Sequence, residues 1–262
     1  MRLVRGYGKA GPPQGGGGRG PAILRPPMPF SSATLRFFRD LARHNNKPWF
    51  EAHRADYERD VKEPMRELIE LLDVRLARFA PEITGDPKRS MFRINRDIRF
   101  SKDKSPYKTN AACWFWHRDA DPRVGDSAEA GGAGFYFHLE PKRSMVGAGI
   151  WMPPRPLLAR IRERIAEKPQ GFQKVVKNPG FVRRFGGLDH EAVLKRVPRG
   201  FNPEHRAANW LRYQSFTAGR MLSDRDVVGG GLLTTLETNF KGLLPLVRWL
   251  NGSLGLKVAS RR

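Results

Sequence analysis

Between Phe92 and Asn110 the chain reads FRINRDIRFSKDKSPYKTN, a stretch in which cations far outnumber carboxylates. Arg93, Arg96, Arg99, Lys102, Lys104 and Lys108 lie in it, opposed only by Asp97 and Asp103. The planar guanidinium fork fits either a carboxylate or a phosphate. From Phe92 to Phe100 the even positions are apolar except Arg96, and the odd positions are polar. That alternation predicts a half-buried strand with Arg93, Asn95, Asp97 and Arg99 on its polar face. Arg96 would then enter the apolar side, where an unpaired cation costs several kcal/mol, so a carboxylate or an anion should meet it.

Three chemistries suit this segment. The first is binding of a phosphate-rich or other anionic ligand, a small molecule or nucleic acid, by the six cations, with Tyr107, Trp114 and Trp116 available for stacking. The second is an enzyme acting on a small anionic substrate, with Asp97 or His138 in acid–base roles and the arginines as a clamp. The third is a non-catalytic structural protein, in which Arg96 pairs internally with Asp97 or Glu140.

Other motifs carry less. The six histidines show no H-E-x-x-H spacing, and no metal site is expected. Asp119, Asp121, Gly125 and Asp126 resemble a calcium loop, but Val124 and Ala130 occupy the places of its glycine and its final glutamate. Gly15 to Gly18 is not followed by G-K-[ST], so no nucleotide loop and no cofactor is implied. Cys113, in an alternating aromatic run, reads as packing. Trp151 reads as core or edge packing, with a pocket mouth as its alternative. Gly147 and Gly149 mark a bulge, or a close approach by a ligand or by backbone.

Helices are expected from Ser31–Ser32, where Leu35, Phe38 and Leu41 follow at helical spacing, and again from Pro48. Tyr57, Val61, Met65, Leu68, Ile69, Leu72, Leu76 and Phe79 form one apolar stripe, which Pro64 should kink or divide. Strands are expected at 92–100, 111–117, 135–140, 145–152 and about 214–218, with the third and fourth forming a hairpin across Pro141-Lys142-Arg143. The 145–152 strand, apolar or Gly on both faces, should be central. After Pro153-Pro154 come helices to about 177, a loop-rich stretch over 178–203, a short helix near 204–211, and a C-terminal helix from Ser223 or Asp224. The fold class is therefore α+β: a mainly antiparallel sheet of about five strands with helices packed on it.

The segments RINRDIRFSKDKSPYKTN, GFYFHLEPKRSMVGAGIWMP, VPRGFNPEHRAANWLRYQSF and PLVRWLN resemble a family catalogued as domain of unknown function 2461. The likeness runs from about Phe30 to about Leu256. It implies a single α+β domain over 30–256, and it brings no activity, cofactor or catalytic residue. Two features depart from the family pattern: an acidic-glycine insert near 119–133 and a long N-terminal extension.

That extension, residues 1–29, is Gly/Pro-rich with five basic and no acidic residues, and reads as a disordered tail. Residues 257–262 read as a basic end. One cysteine in 262 residues excludes an intrachain disulfide and favours a reducing, cytoplasmic setting. No membrane span is expected, because Glu237, Lys241 and Arg248 interrupt the most apolar region. The net charge of +22 favours association with anionic partners. With 34 arginines to 14 lysines spread along the chain, it equally suits an ordinary arginine-rich surface. Oligomeric state is left open.

Overall fold

The computed structural model describes residues 29–99, 102–120 and 131–259. The expected tail and most of the acidic-glycine insert lie outside the described residues. Ser31 caps α1 (Ser32–Arg43), its hydroxyl accepting from Ala33 N–H, and α1 buries Leu35, Phe37, Phe38 and Leu41. Asn46 caps α2 (Lys47–Ala52), which carries Pro48 in its first turn. Next come α3 (Arg54–Tyr57), a π-helical turn over Glu58–Lys62, and α4 (Glu63–Phe79). The π turn is the physical answer to Pro64. Proline lacks the N–H that would bond the carbonyl four residues back, which is that of Asp60. The Thr34 hydroxyl of α1 donates to that carbonyl instead, at 2.7 Å.

The sheet is wholly antiparallel in the order β1-β2-β3-β4-β5. Its strands are β1 (Ile83–Thr84), β2 (Ala111–His117), β3 (Gly134–Leu139), β4 (Met145–Ile150) and β5 (Phe216–Met221). The α+β class and the five-strand antiparallel sheet agree with the sequence reading, but one strand differs. Over its described residues, 92–99, the expected first strand is no strand of the sheet: Phe92 N–H donates to Ala112 O and the chain then leaves β2. It folds back on 105–108 through the bridge Asn95↔Tyr107 and the bonds Arg96 N–H to Pro106 O and Lys108 N–H to Ile94 O. Its alternation fails as a core signal because, of its described apolar residues, Ile94 is buried, Phe92 is half-buried and Ile98 is exposed. The two-residue β1 takes the edge beside β2.

Helices α5 (Arg155–Glu167), α6 (Pro169–Val176) and α7 (Pro179–Phe185) follow β4. α7 lies in the stretch expected to be loop. Asn178 caps it with bonds from Gly180 and Phe181 N–H, and Pro179 opens it. A turn of helix, α8 (Ala208–Leu211), precedes β5. The C-terminal element starts at Ser223 as expected but is broken by Gly229–Gly231 into α9 (Asp224–Val228) and α10 (Leu232–Ser253). α10 crosses β3 and β4 on one face of the sheet. There Phe240 stacks on Phe135 at 4.5 Å and meets Phe115 edge-on at 5.8 Å. Cys113, Phe115, Phe137, Val146, Ala148, Phe216 and Ala218 fill the same side, with α4 packed beyond β1. Each fully buried side chain of this size contributes about 1.5–3 kcal/mol.

Candidate functional site: a glycine-floored hollow

Alternation gives each strand a second face, turned away from α10. There the register sets Trp114, Tyr136, Gly147 and Gly219 in one row across β2 to β5, and Gly149 beside Thr217 in the next. Two large rings stand on β2 and β3, and β4 and β5 offer almost no side chains. The result is a hollow of ≈ 620 Å³ floored by backbone and walled by rings. Small-molecule sites commonly enclose about 300–1,000 Å³ with mostly apolar linings and a few polar groups.

The floor glycines are not equivalent. Gly149 has φ +130°, and a Cβ there would collide with the Phe216 carbonyl oxygen, so β4 and β5 could not pair with any other residue. A Cβ on Gly147 would lie 3.3 Å from Ala218 O, a fit that needs only a small shift. Gly147 is thus the floor position where a side chain can be added with little harm to the strand.

The walls come from four segments. Phe92 meets Tyr136 edge-on at 6.1 Å. Gly131 and Gly132 lead into β3 and are pinned by α10: Asn251 Oδ1 accepts from Ala133 N–H at 2.7 Å, and its Nδ2 donates to Ala133 O at 3.1 Å. After β4 the chain turns at Met152, whose φ of 42° is left-handed and whose N–H donates to Ser215 Oγ at 2.9 Å. A non-glycine residue held there costs about 1–3 kcal/mol. The turn leaves Trp151 58% exposed at the rim, the pocket-mouth alternative and not the expected core or edge packing. Finally, residues 189–194 run beside the start of β5, with Asp189 N–H donating to Thr217 O and Leu194 N–H to Arg212 O. Asp189 and Glu191 both line the hollow, while His190 between them turns away to the Tyr213 hydroxyl at 2.9 Å.

His138 sits on the same sheet face as Tyr136, two residues along. The Tyr136 hydroxyl lies 3.1 Å from His138 Nδ1, and His138 Nε2 lies 3.1 Å from Glu140 Oε2. If Nε2 carries the proton, it donates to the carboxylate and Nδ1 accepts from the phenol. Burial, aided by the nearby Cys113 and Glu140, pushes the Tyr136 phenol up to about 12. Burial likewise raises the Cys113 thiol, which faces the core.

The basic segment lies beyond Phe92. Arg96 pairs with Asp103 and also donates to Ser105 Oγ at 2.9 Å. Arg99 donates to both Asp97 oxygens, at 3.0 and 2.8 Å, and its backbone N–H adds a third bond. These bonds hold the Asp97 carboxyl well below the usual carboxylate range, and bonds from Ser105 and Arg96 hold that of Asp103 down at about 2. Lys104 Nζ donates to Ile98 O, and Lys108 Nζ donates to Arg93 O while standing 5.7 Å above the Phe92 ring. Burial, and then the charges of Arg93 and Arg96, lower the Lys108 ammonium. So Arg93, Arg96 and Lys108 are brought together, whereas Asp97 and His138 share no hydrogen bond among the described residues. The rings expected to offer stacking surface are buried: Tyr107 stacks on Phe50 at 4.1 Å, and Trp114 and Trp116 are 9% and 4% exposed. Among the described residues no group of three or more His, Cys, Asp or Glu could hold a metal ion, and no helix is long and apolar enough to cross a membrane.

Sequence reasoning misses Asp189, Glu191, Tyr136 and Phe92 as neighbours, since they come from three separate segments. The readable signal is glycine at two-residue spacing, Gly147 and Gly149, beside Trp151.

Fold and site together define an α+β protein whose five-stranded antiparallel sheet is packed by helices on one face and hollowed by glycines on the other. The chain belongs to the family described as conserved hypothetical protein DUF2461, which matches residues 33–249. No curated protein and no solved structure matches it.

Proposed function

We propose that the chain binds a small organic molecule with a flat apolar body in the glycine-floored hollow. The observation that carries this reading is the single cross-strand row in which two ring-bearing residues face two glycines. A sheet face built only for packing would fill that row with side chains. The test uses the neutral dye Nile red, which brightens in apolar surroundings. The wild-type chain should saturate it at one site, and Gly147→Leu, which fills the floor, should abolish the signal at an unchanged urea midpoint. Dye binding that survives Gly147→Leu would place it elsewhere and end the proposal.

A second reading, anion binding by Arg93, Arg96, Arg99, Lys102, Lys104 and Lys108, is favoured by one observation. The Lys108 ammonium is pressed by the charges of Arg93 and Arg96 with no carboxylate of its own among the described residues. A phosphate oxygen there would relieve that repulsion. Binding of inorganic pyrophosphate and of single-stranded DNA should fall at least tenfold in Arg93→Glu/Lys108→Glu. DNA binding should weaken with salt by a log–log slope of about −0.7 per phosphate. Affinity retained by the double variant would assign the attraction to the general +22 charge. An acid–base role for His138 would reach the hollow through the Tyr136 hydroxyl. Asp97, bound to Arg99, is the weaker base.

A further inference from the structure

We infer that the occupant of the hollow is an organic cation: a flat ring system bearing one ammonium group, whose charge is met by Asp189 and Glu191. The inference rests on the small-molecule reading of the hollow and adds the ligand's charge and the end at which that charge sits.

The placement follows from the backbone. Residues 189–194 run beside the approach to β5, held by Asp189 N–H to Thr217 O and Leu194 N–H to Arg212 O with a turn at Glu191–Ala192, and this path brings both Asp189 and Glu191 to the rim of the hollow. His190 is accounted for by Tyr213, and the two carboxylates by the hollow they line. Neither has a hydrogen bond or ion pair from its side chain among the described residues. The chain carries 48 lysines and arginines against 26 acids, and cations meet many of the described carboxylates, as Arg99 meets Asp97, Arg248 meets Glu82 and Arg39 meets Asp224. At the hollow two exposed carboxylates stand unpaired at an apolar rim, so a cation seated there meets negative charge.

The other charged residue of the lining among the described residues, Arg220, does not cancel them. It is one residue out of phase with the floor positions Gly219 and Met221, so alternation sends its side chain to the opposite face, where its charge acts on Asp226. It also stands three residues along β5 from Thr217, which Asp189 touches, about 10 Å away at strand rise. Screening limits each distant charge to about 8 Å at physiological salt, so the excess of cations elsewhere is weak at this point.

The rings add to the same preference. Phe92, Trp114, Tyr136 and Trp151 line the hollow, and aromatic faces attract cations through their negative π clouds. Trp151, exposed beside Pro153-Pro154, is free to lie over a ring seated on the glycines. An anionic ligand would meet two carboxylates and four ring faces, and a neutral one would leave the carboxylates unanswered.

Three probes of one shape separate the possibilities: tryptamine, 3-ethylindole and indole-3-propionate, titrated by calorimetry in 150 mM salt at pH 7. Tryptamine should bind at least tenfold more tightly than 3-ethylindole, and indole-3-propionate more weakly than both. In Asp189→Asn/Glu191→Gln the advantage of tryptamine should shrink to less than threefold while 3-ethylindole binding stays as it was. Equal affinity for the cation and the neutral probe, or an advantage that survives the double variant, overturns the inference and leaves the hollow standing. Nile red binding without tryptamine binding overturns it in the same way. Loss of every probe, Nile red included, from a folded wild-type chain would remove both readings.

Discussion

Replacing Asn251 by alanine should loosen the wall of the hollow and cost more than a surface substitution ever does. Asn251 is 3% exposed on α10, and its amide closes a two-bond clamp on Ala133, which has no exposure at all. Alanine at 251 leaves a buried N–H and a buried C=O without partners. Each such orphan costs about 1–3 kcal/mol, so the expected loss is about 2–6 kcal/mol. For a domain of this size 1 kcal/mol moves the midpoint by about 2–4 °C, which makes the expected fall about 4–24 °C. Thermal unfolding followed by circular dichroism gives the sum, and deuterium exchange at the Ala133 amide gives the location. Asn251→Asp supplies the control. Its carboxylate keeps an acceptor for Ala133 N–H but opposes Ala133 O with a second oxygen, so it should recover stability relative to wild type as acid restores a donor. A midpoint shift under 1 kcal/mol in Asn251→Ala, with Ala133 as protected as before, would refute the clamp.

Two further outcomes are expected. Glu82, 2% exposed, accepts from Arg248 Nε at 2.7 Å, and Glu82→Gln should lower the urea-derived stability by about 1–3 kcal/mol, less than for a fully enclosed pair because Arg248 reaches solvent. Additive losses in Glu82→Gln/Arg248→Met would deny the coupling. Burial raises both Tyr57 and Tyr136 to about 12. Their neutral forms are favoured in the fold, so this contribution is complete below pH 10 and is lost as pH rises from 10 toward 12. Absorbance at 295 nm should show two phenols ionising last, one of them removed by Tyr136→Phe; five phenols titrating together near 10 in the folded protein would contradict it.

Local patterns are legible wherever one element makes its own case. Ser31, Asn46 and Pro48 announce the first two helices, and the alternation of 111–117 and the Pro141-Lys142-Arg143 turn give the central strands. The 92–100 segment shows the limit. Its period of two is as clean as that of β2, yet a period states only which residues could share a face. Whether a segment keeps a partner is a tertiary matter: Ser90 to Phe92 do pair with β2 through the bridge Met91↔Cys113, and the chain then leaves β2 to fold on 105–108. Helix α7 escapes because Pro179 and Gly180 suggest a loop until the Asn178 cap is weighed with them. The break at Gly229–Gly231 escapes for the reverse reason, since the Ser223 cap and the apolar spacing beyond it outweigh three glycines. As for the site, the basic segment draws attention by its charge, and most of that charge is spent on its own carboxylates and carbonyls. Asp189 and Glu191 draw none, since two acids in a loop mean nothing until a glycine floor lies beside them.

That coincidence of disfavoured features is the strongest reason to treat the hollow as a site. Strand glycine destabilises by about 0.5–1 kcal/mol relative to alanine, and Gly147, Gly149 and Gly219 all sit in the two adjoining strands of the floor. Met152 adds a left-handed backbone, Trp151 stays 58% exposed, and two carboxylates face an apolar mouth with no cation paired to them among the described residues. Elsewhere the same chain obeys the rules closely: Thr34 answers the carbonyl that Pro64 frees, and Asn251 answers both groups of Ala133. Local violations scattered over a protein mean little. Gathered around one preformed cavity, with the helical face of the sheet packed normally behind it, they are what remains when a surface is shaped for a guest and not for stability.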